Sequence, residues 1–331
     1  MKIRSKQKRI FLDYASATPV LPEVKQVMEK YWSKDFYNPN AIYEEGMKIK
    51  IDVDGYRAKI ARILGVAKET IIFTSGGTEA NTWAIRGVKP GRIVVEQDSH
   101  PSVLEAAKSI MGMETTLISS VTTDNKLGRK IREERKKGNT EFPLLHVDAS
   151  QTAAYFNVGL DVLSCDLLTL DSAKLYGPKG IGALVVKRGV KLEVPPIGTP
   201  AVSLIAGFTK ALEIAVHDRA EERKRLHSLS TQFVSAIRSS LPEAEITQNE
   251  PNIINVFIPA SPAGRHGVMS EYLVLALDRA GVLVSAGPAC NSNKPEPLDT
   301  PVRISLGRFT TRQEVKKASE IFCRTVRNML K

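Results

Sequence analysis

The sequence predicts an α/β fold with a mostly parallel central sheet, followed by a smaller α+β domain. Short apolar runs typical of buried strands alternate with amphipathic helical patterns as far as about Val186, as they do in doubly wound parallel sheets. The chain of 331 residues is long enough for one large and one small domain. We expect the large domain at residues 15–215, and the small domain at residues 1–14 and 216–331.

The composition is that of a soluble globular protein, with 42% hydrophobic and 25% charged residues. No apolar run reaches the ~18 residues of a membrane span. The apolar run at residues 10–12 is followed at once by Asp13, so it is too short for a signal peptide and a cytoplasmic protein is expected. Three widely spaced cysteines, Cys165, Cys290 and Cys323, predict neither a metal cluster nor a disulfide framework.

The net charge of +11 allows a general affinity for anions, such as a phosphate-bearing cofactor, an acidic protein or tRNA. The basic residues are scattered apart from short clusters at residues 6–9, 129–137 and 219–225. Because no helix-turn-helix, zinc-finger or RNP pattern accompanies them, direct nucleic-acid binding is disfavoured as the main function.

The first predicted elements are two helices joined by a loop at Asn38. Pro22 stands in the first turn of a helix whose apolar residues recur at helical spacing as far as Trp32. The second helix covers about residues 43–64, and Gly65 ends it.

A strand at residues 71–73 then ends in a turn of small residues, 74–81, that leads into a helix. This geometry points backbone N–H groups and hydroxyls at an anion. The turn matches neither a Walker loop nor a dinucleotide fingerprint. A phosphate cradle is one interpretation, and an ordinary strand-to-helix turn is the commoner one for these residues alone.

Three polar residues follow later predicted strands. His100, Asp148 and Lys174 can meet in one crevice, because parallel strands place their carboxyl ends at one edge of the sheet. A lysine there suits Schiff-base chemistry on an aldehyde cofactor. The aspartate could keep a pyridinium nitrogen protonated or cap the next helix, and a single histidine is more often a surface or capping residue. The predicted strands are at residues 93–95, 115–121, 144–147 and 167–170, with a charged helix at 129–137.

A long helix from Ser203 to Leu241 leads into the smaller domain. Thr311 and Glu314 have the spacing of a capping box at the start of the last helix. The other elements predicted here are strands at residues 253–258, 282–285 and 303–306 and helices at 270–280 and 311–330.

Two residues of this smaller domain are candidates for chemistry. Cys290 lies in a loop of small polar residues, which makes its thiol accessible, although an incidental loop thiol explains it equally well. Arg303 begins a strand and suits bidentate binding of a carboxylate, although a surface arginine is the commoner explanation.

Eight segments, in this order along the chain, resemble the cysteine desulfurases of the NifS/IscS type. These enzymes are class V aminotransferases with the type I fold of enzymes that use pyridoxal 5'-phosphate (PLP), and this chain is a shortened relative. The segments are residues 12–19, 73–81, 99–100, 146–151, 174–182, 251–256, 285–290 and 303–311.

The resemblance implies a homodimer that converts L-cysteine to L-alanine and leaves a persulfide on Cys290. A sulfur-acceptor protein, either an iron–sulfur scaffold or a tRNA-thiolation protein, would receive that sulfur. Lys174 would form the Schiff base with PLP and move the Cα proton. His100 would stack on the pyridine ring and assist this proton transfer. The substrate carboxylate would bind Arg303 with help from Asn38. The remaining cofactor contacts implied are Gly77, Thr78, Asp148, Gln151, Ser172 and Thr199.

The sequence departs from the family pattern in four places. A strand and loop with a cofactor-binding asparagine are missing before Leu144, and the loop from Cys290 to Arg303 is short. Where the family has Ser-Gly-His-Lys, residues 171–174 are Asp-Ser-Ala-Lys, so two phosphate contacts are lost and Ser172 is the candidate substitute. A glycine-rich phosphate segment is reduced to Gly198-Thr199, a possible contact across a dimer.

Two other hypotheses follow from the same residues. The chain could be a related PLP-dependent lyase or aminotransferase in which Cys290 is incidental. It could also be a degenerate, non-catalytic homologue that acts as a binding partner.

Overall fold

The computed structural model describes residues 9–96, 99–108, 114–195, 198–258, 270–286 and 300–330. The predicted catalytic Cys290 lies outside these residues.

The strands, in chain order, are β1 (Ile10–Phe11), β2 (Ile71–Thr74), β3 (Arg92–Val95), β4 (Thr115–Ser120), β5 (Leu144–Asp148), β6 (Leu167–Asp171), β7 (Gly182–Val186), β8 (Glu245–Glu250), β9 (Ile253–Ile258), β10 (Val282–Leu283), β11 (Ser285–Ala286) and β12 (Thr300–Ser305). The helices are α1 (Pro22–Ser33), α2 (Glu44–Leu64), α3 (Gly77–Arg86), α4 (Pro101–Lys108), α5 (Lys126–Gly138), α6 (Leu160–Leu163), α7 (Val202–Ser240), α8 (Ser270–Arg279) and α9 (Arg312–Leu330). In the described ranges, none of the helices combines the length and the apolar character needed to cross a bilayer.

The chain divides into two compact units. The large unit is Thr18–Arg219, and the small unit combines residues up to Ala17 with those from Ala220 onward. The second of these boundaries falls within α7.

The large unit is built on a sheet with the strand order β2-β7-β6-β5-β4-β3 among the described residues. The strands from β3 to β6 are parallel neighbours, joined in turn by α4, α5 and α6. The remaining strand, β7, runs antiparallel to both β6 and β2. The predicted mostly parallel α/β fold is therefore confirmed, with one reversed strand that the periodicity did not show.

The sheet is apolar because helices cover it. Every residue of β5 is buried, which accounts for the continuous apolar run in the sequence. In α3, Ala80 and Ala84 are fully buried one turn apart, and these small side chains let the helix lie close to the strands. Leu117, Leu144 and Leu167 of three neighbouring strands belong to the same core.

The small unit contains an antiparallel sheet of order β11-β12-β9-β8 and a short parallel pair, β1 with β10. The single strand expected at residues 282–285 is in fact two strands that pair with different partners. The capping box at the start of α9 is present, since Glu314 N donates to Thr311 Oγ1 over 3.2 Å and Thr311 N donates to Glu314 Oε2 over 3.0 Å.

A buried carboxylate, Asp166, holds the start of β5 in place. Its Oδ2 accepts a hydrogen bond of 2.9 Å from Leu145 N and lies 3.0 Å from the Arg135 guanidinium. Lys187 Nζ lies 3.4 Å from Oδ1. Because its side chain is only 2% exposed, Asp166 depends on these partners to compensate for lost hydration.

We expect Asp166→Ala to lower the free energy of unfolding by about 3–5 kcal/mol, because it leaves the buried Leu145 N–H without its acceptor and the Arg135 guanidinium, 12% exposed, without its carboxylate. Chemical denaturation measures the change. Asp161→Ala is the matched control: its side chain is 88% exposed and pairs with Arg132 at 3.9 Å, so a loss of about 0.5 kcal/mol or less is expected. Equal losses in the two variants would contradict this account of Asp166.

Candidate active site

The carboxyl ends of β2, β5 and β6 bring several of the predicted residues together. Asp148 ends β5 opposite Thr169 of the parallel neighbour β6. Asn81 of α3 donates a 2.8 Å hydrogen bond to Asp148 Oδ2, and Gly77 N, at the start of α3, donates to Asp171 Oδ2 over 3.3 Å. The first turns of α3, the end of β5 and the end of β6 are therefore in direct contact.

Three hydrogen bonds orient the Asp148 carboxylate. Besides the bond from Asn81, its Oδ1 accepts from Ser150 N over 3.0 Å and from Ser150 Oγ over 2.6 Å. The residue is 8% exposed. These bonds favour the interpretation of Asp148 as a positioned functional carboxylate. The 3₁₀ helix that follows, Thr152–Ala154, has Gln151 rather than Asp148 at its N-cap.

His100 is exposed and stands immediately before α4. Its Nδ1 accepts from Ser102 N over 3.1 Å and lies 2.8 Å from Ser102 Oγ, which is the capping arrangement left open by the sequence. Asn81 Nδ2 donates to Ser102 Oγ over 3.0 Å as well as to Asp148. A chain of hydrogen bonds thus joins His100 to Asp148 through Ser102 and Asn81.

Sequence reasoning gave Ser102 and Asn81 no role. Asn81 did stand in the turn assigned to a phosphate, and Ser102 stood two residues after the candidate histidine. A link between them depends on α3 packing beside α4, which the sequence pattern does not reveal.

A second histidine, His146, lies within β5 and is completely buried. Its Nδ1 lies 2.8 Å from Ser119 Oγ, and its Nε2 lies 3.0 Å from Thr169 Oγ1. Burial lowers the pKa of His146 to about 4, although the nearby Asp148 acts in the opposite direction. The imidazole is therefore neutral at physiological pH, and it joins β5 to Ser119 of β4 and Thr169 of β6.

Lys174 is half-buried in a short 3₁₀ helix, Ser172–Lys174, whose backbone is held from two sides. Thr18 Oγ1 donates to Ala173 O over 2.9 Å and accepts from Tyr176 N over 3.0 Å. On the other side, Asp171 Oδ1 accepts from Ala173 N over 2.9 Å. Tyr176 has a left-handed backbone, with φ of 61°, which is uncommon for a side chain of this size. The turn that carries Lys174 is thus fixed by Thr18, a contact that the sequence did not suggest.

Ser172, the candidate substitute for a missing phosphate contact, is fully buried. Its Oγ has no hydrogen-bond partner in the described part of the chain. A Cβ added to Gly177 would lie 2.2 Å from this oxygen, so only glycine fits there. A phosphate contact by Ser172 stays a prediction.

The first turn of α3 is filled by polar groups from two strand ends. Gly77 is buried, and a Cβ on it would lie 2.9 Å from Ser150 Oγ and 3.2 Å from Asp171 Oδ2. Thr78, the next residue, is exposed. The predicted strand-to-helix turn is present, and the carboxylate of Asp171 contacts the first N–H group of the helix. Phosphate binding at this turn stays a prediction.

The remaining predicted contacts of the large unit lie in loops. Asn38 is exposed, and its side chain accepts a 2.9 Å hydrogen bond from Asn40 N. Gln151 is half-buried, and Thr199 is exposed. Their assignment to cofactor or substrate stays a prediction.

Arg303 belongs to the small unit, on β12 between β11 and β9. Its guanidinium donates to Ser16 Oγ over 2.7 Å and to Asp13 Oδ1 over 3.3 Å. Its buried Nε has no hydrogen-bond partner among the described residues. Arg303 is therefore a guanidinium held in place by Ser16 and already paired with one carboxylate.

The residues of the large unit fit the ring end of PLP. They supply a lysine on a fixed turn and a carboxylate oriented by three hydrogen bonds, and the buried Oδ1 of Asn81 beside it has no partner among the described residues. At the phosphate end, Asp171 Oδ2 already accepts a hydrogen bond from the first N–H group of α3, so a phosphate would compete with this carboxylate.

The model of the aminotransferase class-V family matches residues 10–137, 130–197 and 196–318. The chain is 30% identical to the cysteine desulfurase IscS of Dictyoglomus turgidum, over 98% of this chain and 96% of the other. Among solved structures, a NifS-like protein superimposes with a TM-score of 0.85 at 24% identity, covering 97% of this chain and all of the other. A NifS-like protein from Rickettsia africae gives a TM-score of 0.83 at 22% identity, covering 96% of this chain and 99% of the other. The expected type I fold is confirmed by these structures.

We expect acid to destabilise the protein partly through His146. Since burial lowers its pKa from 6.5 to about 4, its contribution to stability is complete above pH 6.5 and is lost as the pH falls towards 4, where only the unfolded state takes up the proton. The loss is roughly 3 kcal/mol. Urea unfolding at pH 7 and pH 4.5 should therefore show a smaller pH dependence for His146→Gln than for the unchanged protein. His217→Gln, at a side chain 88% exposed, is the control for the same replacement outside the core, and His146→Gln should have the larger effect on the pH dependence.

Proposed function

The chain belongs to the class V aminotransferases and, among them, to the cysteine desulfurases, and on this premise we propose a site built on Lys174 and Cys290 that converts L-cysteine to L-alanine. The observation that carries the proposal is the contact network at the carboxyl edge of the large unit's sheet. In this network, Asp148 accepts a hydrogen bond from Asn81 of α3, and Asp171 links the first N–H group of α3 to the turn of Lys174. These contacts support the proposal.

The residues of this edge can hold PLP by each of its parts. Lys174 would bind the aldehyde carbon, Asp148 the pyridine nitrogen and Gln151 the phenolic oxygen, while His100 would cover the face of the ring. The phosphate would lie at the start of α3. Its proposed contacts are Gly77, Thr78, Ser172 and Thr199. When bound, PLP supplies an electron sink for the bonds broken at the substrate.

The chain's own residues then have separate tasks. Arg303, with Asn38, would bind the substrate carboxylate, since a guanidinium pairs with it through two parallel hydrogen bonds. The amine of Lys174 would take the proton from Cα and return one later. The Cys290 thiolate would attack the sulfur of the substrate, so that an S–S bond forms while the Cβ–S bond breaks. The electrons of the broken bond stay with the substrate carbon, which takes up a proton and leaves as alanine.

The other two cysteines support the choice of Cys290. Cys165 and Cys323 are both buried. Burial raises the pKa of the Cys165 thiol to about 12 and also raises that of Cys323. Because the thiolate is the nucleophile, both are poorly suited to take up sulfur.

The sulfur would pass from Cys290 to an acceptor protein, an iron–sulfur scaffold or a tRNA-thiolation protein, in the cytoplasm. We also propose that the enzyme is a homodimer. In the large unit, Tyr43, Met47 and Ile51 are spaced four residues apart at the start of α2 and are at least half exposed. Trp32, Phe36 and Ile42 are exposed as well. We propose that these six side chains, the α1–α2 patch, form the contact between the two protomers, because exposed apolar patches mark interaction sites.

Incubation of the purified, PLP-loaded protein with L-cysteine and a thiol reductant tests the reaction. We expect alanine and sulfide in equal amounts. Lys174→Ala should abolish both products, because it removes the amine proposed to bind the aldehyde and to move the Cα proton, and Cys290→Ser should abolish sulfide. Cys323→Ala, at a buried thiol, is the control and should keep both.

Two results would contradict the proposed reaction. Transfer of the amino group without sulfide would indicate an aminotransferase or lyase with an incidental Cys290. Protein that binds no PLP and forms no product would indicate a non-catalytic homologue.

The dimer is tested by sedimentation velocity at micromolar concentration. We expect a dimer for the unchanged protein and a monomer for Ile51→Glu, because a charge in a desolvated apolar contact is costly. Val162→Glu, on α6 and 42% exposed, is the control and should stay dimeric. A monomeric unchanged protein would refute the dimer.

A further inference from the structure

We propose that Asp171 is an internal competitor for the phosphate of the cofactor and thereby sets how strongly the site prefers PLP to unphosphorylated pyridoxal. This inference rests on the proposed function, because it assumes that the cofactor binds beside α3. It concerns one carboxylate and the two backbone N–H groups that it accepts from.

One oxygen of Asp171 occupies the start of α3. Gly77 N donates to its Oδ2 over 3.3 Å, and Gly77 is the first residue of this ten-residue helix. The positive end of a helix dipole and its unpaired N–H groups favour an anion at this point. In this structure, the anion is a side chain of the protein itself.

The Asp171 carboxylate and the Ser150 hydroxyl both crowd Gly77. A Cβ placed on Gly77 would already lie 3.2 Å from Asp171 Oδ2 and 2.9 Å from Ser150 Oγ. A phosphate that accepts from Gly77 N would compete with the carboxylate for this N–H group, and the two negative groups would repel each other if both stayed.

The second oxygen of Asp171 belongs to the turn of Lys174. Its Oδ1 accepts a 2.9 Å hydrogen bond from Ala173 N and caps the 3₁₀ helix that carries the lysine. A phosphate that displaces Asp171 therefore breaks two hydrogen bonds of this carboxylate, one from Gly77 N and one from Ala173 N. Pyridoxal, which has no phosphate, leaves both hydrogen bonds intact. The carboxylate therefore reduces the extra affinity that the phosphate gives to PLP.

The experiment compares four full-length apo proteins: the unchanged chain, Asp171→Ser, Asp171→Asn and the control Glu79→Gln. Glu79 also lies in the first turn of α3, where its carboxylate accepts from Ser75 N, so its replacement removes the same charge without touching Gly77 N. Calorimetry measures the Kd of PLP and of pyridoxal for each protein. Thermal unfolding of the apo proteins, with and without inorganic phosphate, provides a readout that does not require the aldehyde.

We expect both Asp171 variants to bind PLP about tenfold or more tightly than the unchanged protein, because a like charge has been removed at contact distance. The Kd of pyridoxal should change little, and inorganic phosphate should raise the Tm of the variants more than that of the unchanged protein. Without ligand, both variants should melt at a lower temperature, since the helix start loses its anion. Glu79→Gln should increase the affinity for PLP much less than the two Asp171 variants do.

An unchanged or weaker affinity of both variants for PLP would overturn the inference. An equal increase in the affinity for pyridoxal would overturn it as well. A purely structural Asp171 would lower stability and PLP affinity together. Failure of the proposed function has a different signature, since none of the four proteins would bind either aldehyde. In that case, an equal phosphate effect on Tm in all four proteins would still refute the competition.

Discussion

The parallel pairing of β5 with β6 determines where the groups of the proposed site lie. It sets Asp148 opposite Thr169 and brings both strands to one edge of the sheet, where their side chains leave the apolar core. The pairing in turn depends on Asp166, whose buried carboxylate binds the backbone of β5 at Leu145. His146, the next residue of β5, contacts Thr169 of β6 through its side chain. A few buried polar contacts thus fix the register between β5 and β6. Apolar side chains alone would specify this register less strictly, because one apolar residue can replace another in the same contact.

Much of the secondary structure was predictable, because local signals coincide with the elements. Gly65, with a left-handed backbone, ends α2 where expected, and the capping box at Thr311 starts α9. The antiparallel direction of β7 was not predictable, since an apolar run has the same pattern in either direction. Thr18 was not predictable either, because its role depends on a turn far away in the chain. The sequence predicted that His100, Asp148 and Lys174 follow or end strands of one sheet, as the structure shows, whereas the contacts that orient them arise from tertiary packing.

In each unit, a carboxylate of that unit pairs with a group of positive charge or partial positive charge. In the large unit Asp171 lies at the start of α3, and in the small unit Asp13 pairs with Arg303. Unpaired charges are costly where they are partly buried, so these internal carboxylates stabilise the helix start and the guanidinium. Under the proposed function, ligand binding at these two groups is an exchange of anions, and the affinity reports the difference between two anions rather than the full attraction of either.

The contact of Thr18 with the lysine turn spans a sequence separation of 155 residues. Closing a loop of this length costs chain entropy before any contact is gained, so contacts of this kind form late in folding. During synthesis, Thr18 leaves the ribosome long before Ala173 and Tyr176 exist. The turn that carries Lys174 therefore reaches its final geometry only once the large unit has folded as a whole. A partly folded chain has this lysine but lacks the clamp that fixes the turn around it.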